Sequence, residues 1–144
     1  MIAVDSNILV YAHRRDSEWH QRANELVTGL AEETPAWVIP WPCVHEFLAI
    51  TTHPRIYDPP SSMQQALEQV DAWFDSQSLV LIGESVDHWR QLNSLIADGR
   101  VRGPGVHDAR IASICLSHGV SELLTSDRDF SRFPSLKTRN PLFD

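Results

Sequence analysis

Hydrophobic and polar residues along the chain form short apolar runs and longer runs with apolar residues at every third or fourth position. The short runs are typical of buried strands, and they cover residues 1–4, 36–39, 79–82 and 122–125. The longer runs predict helices over residues 8–13, 17–32, 41–52, 61–76, 85–98 and 108–117. Proline and glycine predict loops over residues 53–60 and 99–106, and a last short strand is predicted over residues 138–142.

Strands that alternate with helices predict an α/β fold, in which a central, mostly parallel sheet lies between two layers of helices. Neighbouring parallel strands need crossover connections, and the predicted helices provide them. A length of 144 residues fits one domain. We therefore expect a single three-layer α/β/α domain that spans residues 1–144.

The large apolar side chains are predicted to form the core of this domain. Helical spacing places three tryptophans, Trp19, Trp73 and Trp89, on inward faces. By the same spacing, the predicted inward residues also include Leu67 and Val86. Trp37 and Trp41 flank a strand end, where we expect core positions, and a groove lining is the alternative.

Charge and composition narrow the possible partners. The formal net charge of −7 argues against a protein that holds nucleic acid by bulk electrostatic attraction. Residues 100–144 nevertheless contain more basic than acidic side chains, and all the basic residues except Lys137 are arginines. Because arginine suits bidentate phosphate contacts, a local contact with nucleic acid is expected in this C-terminal third.

Several protein classes are excluded by the pattern. No apolar run is long enough to cross a membrane, and the N-terminal residues lack the pattern of a signal peptide. Cys43 and Cys115 are too few for a disulfide framework. We expect a cytoplasmic protein without a membrane partner.

Four carboxylates are predicted to meet at one end of the sheet. Asp5 follows the first strand, and Asp127 follows the strand over residues 122–125. Asp108 begins the helix before that strand, and Glu46 lies one turn into the helix after the second strand. In such sheets, ligands bind outside the carboxyl ends of the strands. Clustered carboxylates repel one another unless a cation lies among them, and oxygen ligands suit Mg²⁺ or Mn²⁺ better than zinc.

Each carboxylate also has a purely structural explanation. Asp5 and Asp108 precede helices, where aspartate commonly caps free backbone N–H groups. Asp127 lies in a sequence typical of a turn. Glu46 is harder to explain in this way, because its apolar neighbours predict partial burial, and a buried carboxylate needs a partner or a metal.

Four segments resemble one known family, and they occur in the order and at the spacing that this family shows: residues 4–12, 41–47, 106–112 and 123–130. The resemblance is to PIN domains, specifically the VapC toxins of bacterial type II toxin–antitoxin pairs. It covers essentially the whole chain.

This resemblance implies a metal-dependent endoribonuclease that is inhibited by a VapB-like antitoxin and is typically a homodimer. It implies that Asp5, Asp108 and Asp127 hold one or two Mg²⁺ ions, for which Mn²⁺ can substitute. Glu46 would position or deprotonate the attacking water. Asp129 is an additional acidic residue whose role varies. Candidates for contacts with RNA phosphates are Arg100, Arg102, Arg110 and Arg128, and candidate hydrogen-bond donors are Ser6, Thr125 and Ser126.

Three alternatives stay open at this point. A phosphohydrolase on a similar sheet is disfavoured, because residues 5–7 read Asp-Ser-Asn rather than Asp-x-Asp. A catalytically degenerate PIN-fold module that binds RNA or protein is disfavoured by the complete set of four acidic positions. The last alternative is a domain whose carboxylates are only helix caps and turn residues.

Overall fold

A computed structural model describes residues 1–143. The described part of the chain contains five strands: β1 (Ile2–Val4), β2 (Trp37–Pro40), β3 (Leu79–Ile82), β4 (Glu122–Leu124) and β5 (Thr138–Arg139). It also contains six α-helices: α1 (Ser6–His13), α2 (His20–Glu32), α3 (Trp41–Thr51), α4 (Met63–Phe74), α5 (His88–Gly99) and α6 (Gly105–Ser117). A 3₁₀ helix, Arg128–Arg132, follows β4. The α/β class is confirmed.

The five strands form one sheet in the order β3-β2-β1-β4-β5, and every neighbouring pair is parallel. The strand order runs outward from β1 to β3 and then reverses through β4 to β5. Helices α1 to α4 pack on one another, and α5 packs on α6. With right-handed crossovers, these two groups of helices cover opposite faces of the sheet.

Local sequence explains where the helices near the sheet begin. Asp5 directly follows β1, and its side chain accepts a hydrogen bond from the N–H of Ser6, so α1 begins without an intervening loop. Pro42 lies in the first turn of α3, where its missing N–H has no intrahelical partner to lose. Ser62 and Gln65 form a reciprocal capping box at the start of α4.

The predicted loop over residues 99–106 is too long at both ends. Helix α5 extends to Gly99, and α6 begins at Gly105 with Pro104 as its N-terminal cap residue. Proline fits at a helix start because its fixed φ suits the first turn. As a result, Asp108 lies in the first turn of α6, and it does not precede that helix as a cap. The last strand is also shorter than predicted.

The core prediction is right for most positions and wrong for four. Trp37 is completely buried, Trp73 is buried, and Trp19 is partly buried against the core. In contrast, Leu67, Val86 and Trp89 are exposed. Helix α5 contains no buried residue, because only its α6 side is covered in the described chain, so its apolar spacing overestimates burial. Trp41 is also exposed, at 39% of its surface.

Among residues 1–143, no helix combines the length and the hydropathy that a membrane span needs.

A candidate metal centre at the carboxyl ends of β1 and β4

The first and fourth strands are neighbours in the middle of the sheet, at the point where the strand order reverses. In open α/β sheets this reversal point leaves a crevice outside the carboxyl ends of the strands. Asp5 follows β1 there, and Thr125 and Asp127 follow β4. The fold thus brings the beginning and the end of the chain together at the predicted location.

The carboxylate of Asp5 accepts five hydrogen bonds within residues 1–143. Its Oδ1 accepts from the backbone N–H of Ser6 at 2.7 Å, and from Ser6 Oγ and Cys43 Sγ, each at 3.5 Å. Its Oδ2 accepts from Thr125 Oγ1 at 2.7 Å and from Asn7 Nδ2 at 3.2 Å. The residue is only 3% exposed. These contacts fix the orientation of the carboxylate before any ligand arrives.

Asn7 and Thr125 connect the two strand ends around this carboxylate. Asn7 Nδ2 also donates to Thr125 Oγ1 at 3.2 Å, and its Oδ1 accepts from the N–H of Ser126 at 3.1 Å. Thr125 Oγ1 accepts a further bond from the N–H of Asp127 at 3.0 Å. The hydroxyl of Thr125 therefore uses its one donor and both acceptor positions, and it connects the Asp5 carboxylate to the backbone of Asp127.

Glu46 projects from α3 toward the same place. Its Oε1 is completely buried and has no hydrogen-bond partner among residues 1–143. Burial, followed by the negative charges of Asp5 and Asp108, raises the pKa of Glu46 to about 7, and Arg110 only partly opposes this. A buried carboxylate oxygen without a donor is unfavourable unless a ligand or a cation completes it.

Two groups of acidic side chains lie near each other at this end of the sheet. Ligand atoms of Asp108, Asp127 and Asp129 all lie within 4.8 Å of one another, as do those of Asp5, Cys43 and Glu46. Burial, then the charges of Asp127, Asp5 and Asp129, raises the pKa of Asp108 to about 6. Because the two groups shift each other's pKa, all four predicted carboxylates belong to one site, which we call the acidic centre (Asp5, Glu46, Asp108 and Asp127).

The backbone supports two of these aspartates. Asp127 caps the 3₁₀ helix and accepts a hydrogen bond from the N–H of Asp129 at 2.8 Å. Asp108 lies in the first turn of α6, where the partial positive charge of a helix N-terminus favours an anion. The structural explanations therefore hold for Asp5 as a helix cap and for Asp127 as a turn residue, whereas the cap expected at Asp108 is wrong.

An open cavity of about 460 Å³ gives access to the acidic centre. Glu46, Asp108 and Asp129 line it together with Arg110. The Nε of Arg110 lies 2.5 Å from Glu84 Oε1, so this arginine is already paired with a carboxylate. Arg128 is exposed at the start of the 3₁₀ helix and does not line the cavity.

The sequence did not reveal the roles of Asn7 and Cys43. Cys43 is fully buried, whereas His45, two residues later in α3, is exposed. The two side chains therefore lie on different faces of the helix. Burial, and next the neighbouring charge of Asp5, raises the pKa of the Cys43 thiol well above its usual range. The thiol therefore acts as a neutral donor to Asp5. The only indication in the sequence that position 43 faces inward was the apolar character of the residues around Glu46.

Comparisons with known proteins identify the family. The family model for the PIN domain matches residues 2–136. Ribonuclease VapC43 of Mycobacterium tuberculosis (strain ATCC 25618 / H37Rv) is 32% identical over 142 residues, which make up 99% of this chain and 96% of that protein.

Two solved structures have the same fold. The crystal structure of Mycobacterium tuberculosis VapC20, a toxin that cleaves the sarcin–ricin loop, covers 91% of this chain and 93% of its own, with a TM-score of 0.68 at 14% identity. VapBC2 from Rickettsia felis, bound to a DNA fragment from its promoter, covers 97% and 98%, with a TM-score of 0.69 at 20% identity. Because the PIN-domain model matches residues 2–136 and VapC43 is 32% identical over nearly its full length, the chain belongs to the PIN-domain family and is of the VapC type.

Proposed function

We propose that this protein is a divalent-metal-dependent endoribonuclease that acts as the toxin of a type II toxin–antitoxin pair. The observation that carries the proposal is the convergence of Asp5, Asp108 and Asp127 on Glu46, whose buried Oε1 has no partner among residues 1–143. Full-length similarity to a protein named a ribonuclease supports RNA as the substrate. A cellular RNA substrate would place the protein in the cytoplasm.

The residues present fit a divalent cation. Carboxylate oxygens dominate the donor set, and these are the ligands that Mg²⁺ and Mn²⁺ prefer. Asp5, Asp108 and Asp127 would hold the ion, and Asp129 lies close enough to Asp108 and Asp127 to assist. The raised pKa values of Glu46 and Asp108 report negative charge that Arg110 offsets only in part at Glu46.

The bound ion would neutralise the cleaved phosphodiester and lower the pKa of a bound water. The residues of the chain perform the remaining tasks. Asn7 and Thr125 hold the Asp5 carboxylate in one orientation, which removes the cost of ordering it during the reaction. Glu46 Oε1, which is buried and has no partner within residues 1–143, would accept a proton from the attacking water.

We also propose a VapB-like antitoxin and a second copy of this chain as protein partners. Support for the antitoxin comes from the full-length similarity to VapC43 and from the fold shared with VapBC2. The homodimer follows from the family resemblance. Light scattering of the purified protein, alone and after coexpression with any short reading frame encoded directly upstream, tests both.

The direct test of the activity uses purified protein, freed of any copurifying antitoxin, and total RNA. We expect discrete cleavage products with Mg²⁺ or Mn²⁺, and no products with EDTA or with the Asp108→Asn variant. Cleavage that persists in EDTA would contradict metal dependence. Metal binding without cleavage of any RNA tested would favour the degenerate binding module.

A further inference from the structure

A second cavity, of about 570 Å³, adjoins the acidic centre on the side of the α5–α6 connection. Three arginines line it, Arg100, Arg102 and Arg132, and we call it the arginine pocket. Asp108 and Asp129 line both this pocket and the cavity over the acidic centre. An elongated ligand can therefore reach from one cavity into the other.

The three arginines of the pocket form no ion pair within residues 1–143. The side chains of Arg100 and Arg102 are exposed and have no hydrogen-bond partner in the same range. The guanidinium of Arg132 donates to a backbone oxygen, that of Gly99, at 3.2 Å, and to no carboxylate of the described chain. By contrast, Arg14 and Arg110 are paired with carboxylates. The pocket thus places unpaired positive charge directly beside a site rich in negative charge.

The backbone at Arg100 points to a role for its side chain. Arg100 is the only non-glycine residue with positive φ in the described chain, at 51°, and it ends α5 in the left-handed conformation. Glycine is the usual residue there, because a side chain in this conformation costs about 1 kcal/mol. Keeping arginine at such a position is a mark of functional sites.

Close packing fixes the two walls of the pocket. A Cβ at Gly99 would lie 3.1 Å from the backbone oxygen of Arg132 and 3.4 Å from the ring of Phe133. The end of α5 therefore lies directly against the 3₁₀ helix. This contact holds Arg100 and Arg132 on the same cavity.

We propose that the arginine pocket binds the phosphodiester groups of a single-stranded RNA segment next to the group that is cleaved. The proposal rests on the proposed function and gives the direction from which the strand enters. The acidic centre repels the RNA backbone, so the attraction must come from basic groups beside it. The pocket provides them along a surface continuous with Asp108, whereas Arg110 is engaged by Glu84.

Steady-state cleavage and RNA binding test the pocket. In Arg102→Ala, we expect KM to rise roughly fivefold with little change in kcat, because an exposed charge contact is lost. Binding of a short fluorescein-labelled oligouridylate, measured by anisotropy in EDTA, should lose about 0.7 from its salt slope for each phosphate contact removed. Arg55→Ala is the matched control, since Arg55 is an equally exposed arginine in the loop after α3.

Arg100→Gly separates the proposed role from a structural one. Relief of the left-handed conformation should raise Tm by about 4 °C, while KM rises as in Arg102→Ala. A side chain that only supported the fold would instead give a lower Tm and an unchanged KM. Arg100→Lys should retain part of the RNA affinity that Arg100→Gly loses, because lysine keeps the positive charge.

The outcomes distinguish this proposal from the nuclease itself. Unchanged binding, KM and salt slope in the combined Arg100→Gly, Arg102→Ala, Arg132→Ala variant would overturn the arginine pocket while leaving the cleavage activity established. An equal loss in Arg55→Ala would also overturn it, by showing only a general charge effect. If the wild-type chain binds the oligonucleotide through these arginines but cuts no RNA, the pocket stands and the nuclease fails.

Discussion

The two sides of the acidic centre are built in different ways. On the β1 side, Asp5 is almost completely buried and its carboxylate accepts five hydrogen bonds within the described chain. On the α6 side, Asp108 is partly exposed in the first turn of a helix and is surrounded mainly by other carboxylates. Both sides serve the same proposed ion.

The difference separates stability from function. Removing a group from the β1 side leaves buried donors without an acceptor, which costs folding free energy. Removing charge from the α6 side relieves repulsion and leaves no buried donor unpaired. We therefore expect variants on the two sides to differ in stability even where they lose the same activity.

The largest expected effect is the loss of cleavage in Asp108→Asn. An amide cannot supply the negative charge that the ion requires, so we expect the rate to fall at least about a hundredfold. At the same time, Tm in EDTA should stay the same or rise, because Asn removes repulsion with Asp127. Cleavage assays and thermal denaturation of one preparation check both. A clear fall in Tm would show that Asp108 also supports the fold.

Next in size is the destabilisation of Thr125→Val. This change keeps the shape of the side chain but removes the hydroxyl that donates to Asp5 and accepts from Asn7 and Asp127. We expect it to lower the free energy of unfolding by about 1–3 kcal/mol, as measured by denaturant unfolding. Thr125→Ser keeps the hydroxyl and is the control. A loss in Thr125→Val no larger than that in Thr125→Ser would contradict a stabilising role of the hydroxyl beyond that of the methyl group.

A smaller effect concerns pH. The folded-state pKa values of about 7 for Glu46 and about 6 for Asp108 lie above those of the unfolded chain, so their ionised forms cost stability at higher pH. As pH falls through these values, the folded protein takes up protons first and the cost disappears. Without metal, Tm should therefore rise between about pH 8 and about pH 5.5.

Divalent ions should reverse this dependence. Mg²⁺ or Mn²⁺ should raise Tm more at the higher pH, because protons compete with the ion for the same oxygens. The control is Asp108→Asn, in which Tm is measured against pH with and without the ion. The increase in Tm that the ion causes should be smaller in this variant. If the increase in Tm caused by the ion did not vary with pH, the ion would bind outside the acidic centre.

The smallest effect is expected for Arg128→Ala. The sequence made Arg128 a candidate for phosphate contacts, but it does not line the cavity over the acidic centre or the arginine pocket. We expect KM to change less than about twofold. A fivefold change, equal to that of Arg102→Ala, would extend the substrate surface to the far side of Asp127.

The sequence predicted the parts of the site that depend on strand and helix order. Asp5 and Asp127 could be placed because they come within three residues of the ends of buried strands, and parallel strands end at the same edge. Glu46 could be placed because a carboxylate among apolar residues needs a specific environment. None of this requires knowledge of individual side-chain contacts.

The contacts themselves could not be predicted. The bond between Asn7 and Thr125 joins residues 118 positions apart, and its geometry depends on the register of β1 and β4. The start of α6 was misjudged because Gly105 and Pro104 are typical of loops as well as helix starts. The exposure of Trp89 depends on which elements lie against α5, and helical periodicity carries no information about that.

The pairing of β1 with β4 also sets the time at which the site can exist. Thr125 is 120 positions after Asp5, so a chain that is still being synthesised carries Asp5 and Glu46 long before it carries Thr125 and Asp127. Until β4 adds to the sheet, Asp5 lacks the hydroxyl of Thr125, and the other aspartates of the centre have no fixed position beside it. The acidic centre can therefore form only after residues 122–127 have been synthesised and β4 has paired with β1, so the proposed activity is absent from the chain until that step.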